Sequence, residues 1–173
     1  KGQPEAALVS GLDGTADWSQ ALQGINVVIH AAARAHIMHE EAVDPLAEYR
    51  RVNVEGTLNL ARQASAAGVR RFVFISSIKV NGESTLPSSP FTADDTPAPE
   101  DAYGLSKAEA EAQLKQVAME TGMEVTIIRP PLIYGLGVKG NFASLVSWLR
   151  RGLPLPLGGL IQNRRSLVGL DNL

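Results

Sequence analysis

The sequence predicts an α/β protein with a parallel sheet, because short strand-like runs alternate with longer helical ones. The runs rich in Val, Ile and Phe are short and end at small or polar residues, as buried strands do. The segments between them have helical periodicity and stop at glycines such as Gly68 and Gly122. Strands joined by helices favour right-handed parallel crossovers, with ligands at the carboxyl ends of the strands.

The predicted elements alternate from the N-terminus to Arg129. In chain order they are a strand at 6–10, a helix at 15–22, a strand at 25–30, a helix at 44–67, a strand at 72–76, a helix at 102–121 and a strand at 124–129. Asp44 and Pro45 fit the N-cap and N1 positions of the long helix. A loop rich in Pro and Ser at 86–99 precedes the last helix.

Composition and charge exclude several classes of protein. The 173 residues are 45% hydrophobic and 20% charged, which suits a compact globular domain. The formal net charge of -2 argues against a nucleic acid or a membrane surface as partner. The absence of cysteine excludes a disulfide framework, a thiolate nucleophile and a zinc ribbon. We therefore expect a cytoplasmic protein with no membrane span.

The chain changes character at Pro130. Gly- and Pro-rich stretches surround one short helix at 142–151, and five basic residues face only Asp171. This basic surface either binds an anionic small ligand or is an ordinary solvated face. Because the sequence starts without Met and ends on an apolar run, we expect it to be part of a longer protein.

A Tyr-x-x-x-Lys pair begins the helix at 102–121. The spacing of four residues places the Tyr103 phenol and the Lys107 ammonium on one helical face. A fixed cation favours the phenolate, which makes a tyrosine with an ordinary pKa of about 10 a usable acid or base. Ser77 stands at the carboxyl end of a strand, where its hydroxyl can bond the same substrate oxygen. An ordinary surface pair and a turn-capping serine are the alternative interpretations.

Ser77, Tyr103 and Lys107, in this order on this frame, resemble the catalytic trio of the short-chain dehydrogenase/reductase superfamily. Three further stretches are similar to its extended branch, the NAD-dependent nucleotide-sugar epimerases and dehydratases, at residues 28–33, 52–57 and 129–135. The resemblance implies a Rossmann-like, doubly wound parallel sheet that is incomplete here. It assigns a partial NAD-binding domain to 1–129 and the start of a small nucleotide-sugar-binding lobe to 130–173.

The resemblance also implies roles for individual residues. Those expected to bind the cofactor, NAD or NADP, are Ala31, Ala32, Ala33, Asn53, Tyr103, Lys107 and Pro130. Those expected to bind a UDP-sugar substrate are Ser77, Lys79, Asn141, Phe142, Leu155, Leu157 and Arg164. In the second set, Arg164 resembles the arginine that grips the pyrophosphate, a task suited to a forked guanidinium. No metal ligand is expected.

The implied reaction is oxidoreduction at C4 of a UDP-hexose, with Tyr103 moving the O4 proton. Ile78 and Lys79 stand where 4,6-dehydratases of this family carry Asp-Glu or Asp-Lys, which disfavours dehydration. A 4-epimerase of the UDP-glucose or UDP-N-acetylglucosamine type in surface-polysaccharide biosynthesis remains, beside a 4-keto reductase of a UDP-N-acetyl-deoxyhexose. A cofactor-binding regulator or an inactive fragment is the non-enzymatic alternative. The family further implies a homodimer through the helices at 44–67 and 102–121.

Departures from the family pattern limit these expectations. The Gly-x-x-Gly-x-x-Gly loop that binds the cofactor pyrophosphate is absent from this sequence. Residues 135–140 do match the pattern Gly-x-Gly-x-x-Gly, but no acidic residue occurs after them until Asp171. A dinucleotide fingerprint requires an acid about 20 residues on, so we exclude this run.

Two rival chemistries have weaker support. Metal ligation is suggested by a group of histidines and glutamates, namely His30, His36, His39, Glu40 and Glu41. His30 ends a buried strand, which favours a core position instead. A hydrolytic Ser-His pair using Ser77 is disfavoured because no Gly-x-Ser-x-Gly turn surrounds it.

Overall fold

The computed structural model describes residues 6–35, 42–135, 137, 140–152, 154 and 164–173, with the side chain of Asn141 excepted. The chain forms two compact units, Lys1–Arg129 and Pro130–Leu173. Each unit is described by itself below.

A three-stranded parallel sheet is the frame of the first unit. Its strands are β1 (Val27–His30), β2 (Arg71–Ile75) and β3 (Glu124–Ile128), in the order β1-β2-β3. His30 pairs with Phe74, and Ile75 pairs with Ile128, so all three strands end at the same edge. The predicted parallel sheet is confirmed, and its carboxyl edge is where the sequence places the site.

One continuous helical segment connects β1 to β2, but it is not uniformly α-helical. It consists of α1 (Pro45–Arg50), a π-helical turn (Arg51–Gly56) and α2 (Thr57–Ala66). The side chain of Asp44 accepts a hydrogen bond from the Ala47 N–H at 3.0 Å, as an N-cap does. Gly68, with φ at +84°, follows the end of the segment. The π turn was not predicted; such turns are frequent at functional sites.

Helix α3 (Ala102–Thr121) has the predicted bounds. The Asp101 side chain caps its first turn by accepting a hydrogen bond from the Gly104 N–H at 2.6 Å. Gly122 ends the helix at φ +75°, a conformation that glycine adopts without strain. The cap residues therefore fix where the Tyr103 turn starts.

Two predicted elements at the start of the chain are wrong. Residues 6–10 form no strand, and residues 15–22 form turns instead of a helix. The reason lies in α2, whose side chains take up backbone groups that a helix would bond internally. Gln63 accepts a hydrogen bond from the Trp18 N–H at 2.8 Å and donates one to the Ala16 carbonyl at 2.8 Å. Asn59 also donates to the Ala16 carbonyl, at 2.7 Å.

The hydrophobic core lies between one face of the sheet and the helices. Phe72 and Phe74 are fully buried on β2 and pack with residues of α2 and α3, namely Leu58, Leu60, Ala61, Ala64, Ala110, Leu114 and Val117. On the opposite face of β1, Ile29 is 69% exposed. Within the described residues, the helices thus cover one face of a sheet that the sequence predicts to be doubly wound.

His30 belongs to this core. Its ring lies between Phe72 and Phe74, with centroids 6.0 and 5.9 Å away, and Nε2 is 3.0 Å from the Thr57 hydroxyl oxygen. Burial, together with the positive charge of Lys107, lowers the pKa of His30 from 6.5 to about 4. The ring is therefore neutral at pH 7.

Acidification should destabilise the first unit through His30. In the unfolded chain the His30 ring binds a proton near pH 6.5, whereas in the folded chain it does so only near pH 4. The free energy of unfolding should therefore fall across this window, by about 3 kcal/mol in all. Denaturant unfolding at pH 7 and pH 4.5 measures the loss, and His30→Gln is the control that lacks the titrating ring. Equal losses in both proteins would contradict the assignment.

The second unit is smaller. It holds a parallel pair of short strands, β4 (Leu132–Tyr134) and β5 (Leu167–Gly169), and helix α4 (Gly140–Arg150), close to the helix predicted at 142–151. A 3₁₀ turn at Leu170–Asn172 follows β5. Across the part of the chain that is described, no helix has the length and apolar character needed to cross a bilayer.

Candidate active site at the carboxyl ends of the strands

The residues that follow β2 meet the first turns of α3 at the carboxyl edge of the sheet. Ser77 caps a 3₁₀ turn at Ile78–Val80, its hydroxyl accepting a hydrogen bond from the Lys79 N–H at 3.2 Å. Gly104 lies so close to this turn that a Cβ there would stand 2.8 Å from the Lys79 carbonyl oxygen. Only glycine permits this approach, which brings Ser77 to the Tyr103 turn.

Tyr103 is half-buried at the start of α3. Its ring meets the Tyr49 ring edge-on, with centroids 6.1 Å apart. Burial raises the pKa of Tyr103 above its ordinary value, and the negative charge of Asp101 raises it further. The positive charge of Lys79 and the neighbouring Ser77 hydroxyl lower it. Without a ligand the phenol is therefore protonated at pH 7.

The cation that acts on this phenol differs from the expected one. We expected Lys107 to favour the phenolate, whereas the charge that lowers the pKa of Tyr103 in the structure is that of Lys79. The Lys107 Nζ lies 6.0 Å from the Tyr103 ring centroid, against 4.4 Å from that of Phe74. The spacing of four puts both residues on one face of α3, and the Lys107 ammonium lies nearer the Phe74 ring than the Tyr103 ring.

Lys107 is a buried cation, 1% exposed. Burial lowers the pKa of its ammonium from 10.5 to about 8, against the opposing attraction of the Glu111 carboxylate. Its Nζ donates a hydrogen bond to the Ile75 carbonyl at 3.0 Å, its one hydrogen-bond partner among the described residues. An ammonium has three N–H groups, so two remain for the hydroxyls of a ligand.

Lys79 joins the two sides of the site. Its Nζ lies 2.6 Å from a carboxylate oxygen of Asp101 and 2.7 Å from one of Glu83. Asp101 thus caps α3 and pairs with Lys79 at once. The ion pair holds Lys79, an expected substrate-binding residue, beside Ser77 and Tyr103.

Asn53 holds the loop that follows β1. It is 1% exposed, and its Oδ1 accepts a hydrogen bond from the Arg34 N–H at 2.8 Å. Its Nδ2 donates to the Arg34 carbonyl and to the Ser106 hydroxyl, each at 3.0 Å. The loop so fixed contains Ala31, Ala32 and Ala33, of which the first two are exposed. Small side chains and an accessible backbone suit the close approach of a dinucleotide.

The other expected ligand-binding residues belong to the second unit. Pro130 begins it, Phe142 lies on α4 with its ring centroid 6.1 Å from that of Tyr134, and Arg164 is exposed. The remaining three are not described in this respect: Leu155 and Leu157 lie outside the described residues, as does the side chain of Asn141. The structure therefore brings together Ser77, Lys79, Tyr103, Lys107 and Asn53, all of the first unit.

Sequence reasoning missed several residues around this site. They are Tyr49, Ser76, Asn81, Asp101 and Glu111. Ser76, Asn81 and Glu111 form a buried polar network with Arg129 below the Tyr103 helix. One signal was available, because Glu111 follows Lys107 by the same spacing of four that links Lys107 to Tyr103. The contacts of Tyr49 and Asn81 join distant parts of the chain and leave no such local pattern.

A metal centre has no support in the described residues. Within them, no group of three His, Cys, Asp or Glu side chains is placed to hold an ion. His30 is a core residue, and His36 and His39 fall outside the part of the chain that is described.

A protein-family model matches nearly the whole chain. The model of the NAD dependent epimerase/dehydratase family matches residues 8–172. A UDP-glucose 4-epimerase of Vibrio cholerae is 54% identical over 165 residues, which are 95% of this chain and 50% of that protein. The chain spans half of that relative's length and 37 to 45% of the next three.

Solved structures agree with this similarity. A dTDP-glucose 4,6-dehydratase of Streptomyces venezuelae with NAD bound has a TM-score of 0.72 and 28% identity, covering 88% of this chain and 47% of that one. A UDP-glucose 4-epimerase of Thermotoga maritima with UDP-glucose bound has a TM-score of 0.68 and 26% identity, covering 84% and 48%.

Proposed function

Since the chain belongs to the NAD dependent epimerase/dehydratase family, we propose that the protein carrying it is an NAD-dependent 4-epimerase of a UDP-hexose. The observation that supports this most is the meeting of Ser77, Tyr103 and Lys107 at the carboxyl edge of a parallel sheet. That edge is where ligands bind in such sheets. The substrate class follows from the Vibrio cholerae relative.

The residues present fit a nicotinamide cofactor. Lys107 has two N–H groups available for a ribose diol, and the exposed Ala31 and Ala32 leave the backbone open to a dinucleotide. Asn53 holds that loop in place. Bound NAD supplies the hydride acceptor at C4 of the sugar.

Side chains of this chain carry out the acid–base chemistry. Tyr103 takes the O4 proton as C4 is oxidised, and returns it when the ketosugar has turned over and is re-reduced on its other face. Ser77 donates a hydrogen bond to the same oxygen, and Lys79 adds positive charge beside the phenol. The positive charge of a bound nicotinamide would lower the high pKa of the ligand-free phenol further. Ile78 stands where a dehydratase of this family carries an aspartate, and the loss of that acid disfavours the elimination that a dehydratase performs.

We also propose a homodimer formed through α1, α2 and α3. These helices lie side by side, and an Arg50–Glu109 ion pair of 2.5 Å crosses from α1 to α3 on their surface. Sedimentation of the full-length protein should give a dimer.

A role in lipopolysaccharide or other surface-polysaccharide synthesis is part of the same proposal.

The test is turnover by the full-length protein of UDP-hexoses, with and without N-acetyl groups, in the presence of NAD or NADP. Inverted C4 stereochemistry with no net change in nicotinamide absorbance is the expected result. Stoichiometric consumption of reduced cofactor with a 4-keto sugar would replace the epimerase by a 4-keto reductase. Cofactor binding with no turnover of any sugar would support a regulatory protein instead.

A further inference from the structure

Glu111 is a buried carboxylate that the chemistry above does not use. It is 2% exposed and follows Tyr103 and Lys107 at successive spacings of four on the inner face of α3. Burying a carboxylate is costly unless it is paired and hydrogen-bonded. Its partners therefore indicate what the chain gains from this position.

The Glu111 carboxylate bonds the ends of two strands. Oε1 accepts a hydrogen bond from the Ser76 hydroxyl at 2.5 Å, and Oε2 accepts one from the Arg129 Nη2 at 2.6 Å, with the Arg129 Nε 3.0 and 3.1 Å from the two oxygens. The Arg129 Nη1 donates to the Asn81 Oδ1 at 3.1 Å. Ser76 directly precedes Ser77, and Arg129 directly precedes Pro130. One side chain of the Tyr103 helix thus fixes the two strand ends that lead to expected site residues.

The same carboxylate acts on Lys107 by charge. Three other ionisable groups face the Lys107 ammonium or its partner: the neutral His30 ring of β1, the Tyr103 phenol of α3 and the Arg129 guanidinium at the end of β3. The Phe74 ring and the Ile75 carbonyl of β2 complete its surroundings. Glu111 is the group whose negative charge favours the charged form of Lys107 against the cost of burial.

We propose that Glu111 is a positioning residue, which holds the strand ends at Ser76, next to Ser77, and at Arg129 against the Tyr103 helix and keeps Lys107 charged for the cofactor. This inference rests on the proposed function for its consequence in turnover. Its structural and electrostatic part concerns the ligand-free protein and is open to separate measurement.

The first measurement is the titration of Lys107 in the ligand-free, full-length protein, followed by NMR of ¹³C-labelled lysine. Loss of its signal in Lys107→Arg assigns the resonance. Lys107 should titrate near pH 8 in the parent. It should titrate lower in Glu111→Gln, by roughly one pH unit or more, because the carboxylate charge is gone and that of Arg129 is unbalanced. Glu111→Asp keeps the carboxylate charge, so Lys107 in this variant should titrate at nearly the same pH as in the parent.

The second measurement is the pH profile of kcat. If turnover needs charged Lys107, its lower pKa moves the alkaline limb of the Glu111→Gln profile to lower pH. At pH 8 kcat should fall roughly fivefold or more, as the charged fraction of Lys107 does for a shift of one pH unit, with the KM for the sugar little changed. Glu124→Gln is the matched control, because the Arg71–Glu124 pair has similar geometry but is exposed at the other end of the strands. It should keep the parent profile.

The outcomes are separable. An unshifted Lys107 titration in folded Glu111→Gln, or a profile shift of equal size in Glu124→Gln, overturns the inference. If Glu111→Gln does not fold, Ser76→Ala removes one arm of the network, and kcat equal to the parent's then overturns it. A parent that turns over no UDP-hexose refutes the proposed function, while the Lys107 titration still decides the inference about Glu111.

Discussion

Tyr103→Phe should lower kcat of the full-length protein by roughly 10² to 10⁴, the usual cost of losing a general acid–base group. The substitution removes one oxygen and keeps the ring, so its edge contact with Tyr49 is retained. Because the phenol is half-buried and not part of the hydrophobic core, the free energy of unfolding should change little. Steady-state turnover of the best UDP-hexose, with thermal unfolding in parallel, measures both.

Tyr49→Phe is the matched control for this experiment. It deletes the same atom from a neighbouring ring, whose hydroxyl makes only a long, 3.5 Å hydrogen bond to the Ala35 carbonyl. Turnover should remain within a few-fold of the parent. Comparable turnover by Tyr103→Phe and the parent would remove Tyr103 from the mechanism, and an equal loss in both variants would assign the effect to packing.

The sequence predicted best the features that local chemistry dictates. Asp44 with Pro45 marks one helix start and Gly122 marks one helix end, through bonds made within a few residues, and period and cap agree there. The parallel order of β1, β2 and β3 follows from strands separated by helices. The meeting of Ser77 with Tyr103 follows from the same order together with the family resemblance.

The features that it missed are those decided by distant partners. Residues 15–22 have a helical pattern, but Asn59 and Gln63 capture their backbone groups from more than 40 residues away. The electrostatics of Tyr103 depends on burial and on Lys79, which no spacing rule reveals. Tertiary contacts outweigh local propensity in both cases.

Asn53 connects the helical segment to the loop after β1, and Asn53→Ala should weaken both the fold and cofactor binding. The change removes three hydrogen bonds and leaves the Arg34 peptide groups and the Ser106 hydroxyl without this partner. The free energy of unfolding should fall by about 3 to 5 kcal/mol, since unsatisfied buried groups carry their desolvation cost. NAD affinity should fall roughly tenfold or more, a loss of at least about 1.4 kcal/mol.

Asn59→Ala separates these two effects. Asn59 lies six residues further along the same segment and also makes three hydrogen bonds, two to the backbone at Asp13 and Ala16 and one with Gln63. Its loss should destabilise the protein while NAD affinity stays near that of the parent, because residues 13–16 precede β1 and the residues expected to bind cofactor follow it. Calorimetric titration with NAD, at a temperature where both variants are folded, makes the comparison. Equal affinities in the two variants would show that Asn53 stabilises the fold without organising a cofactor loop.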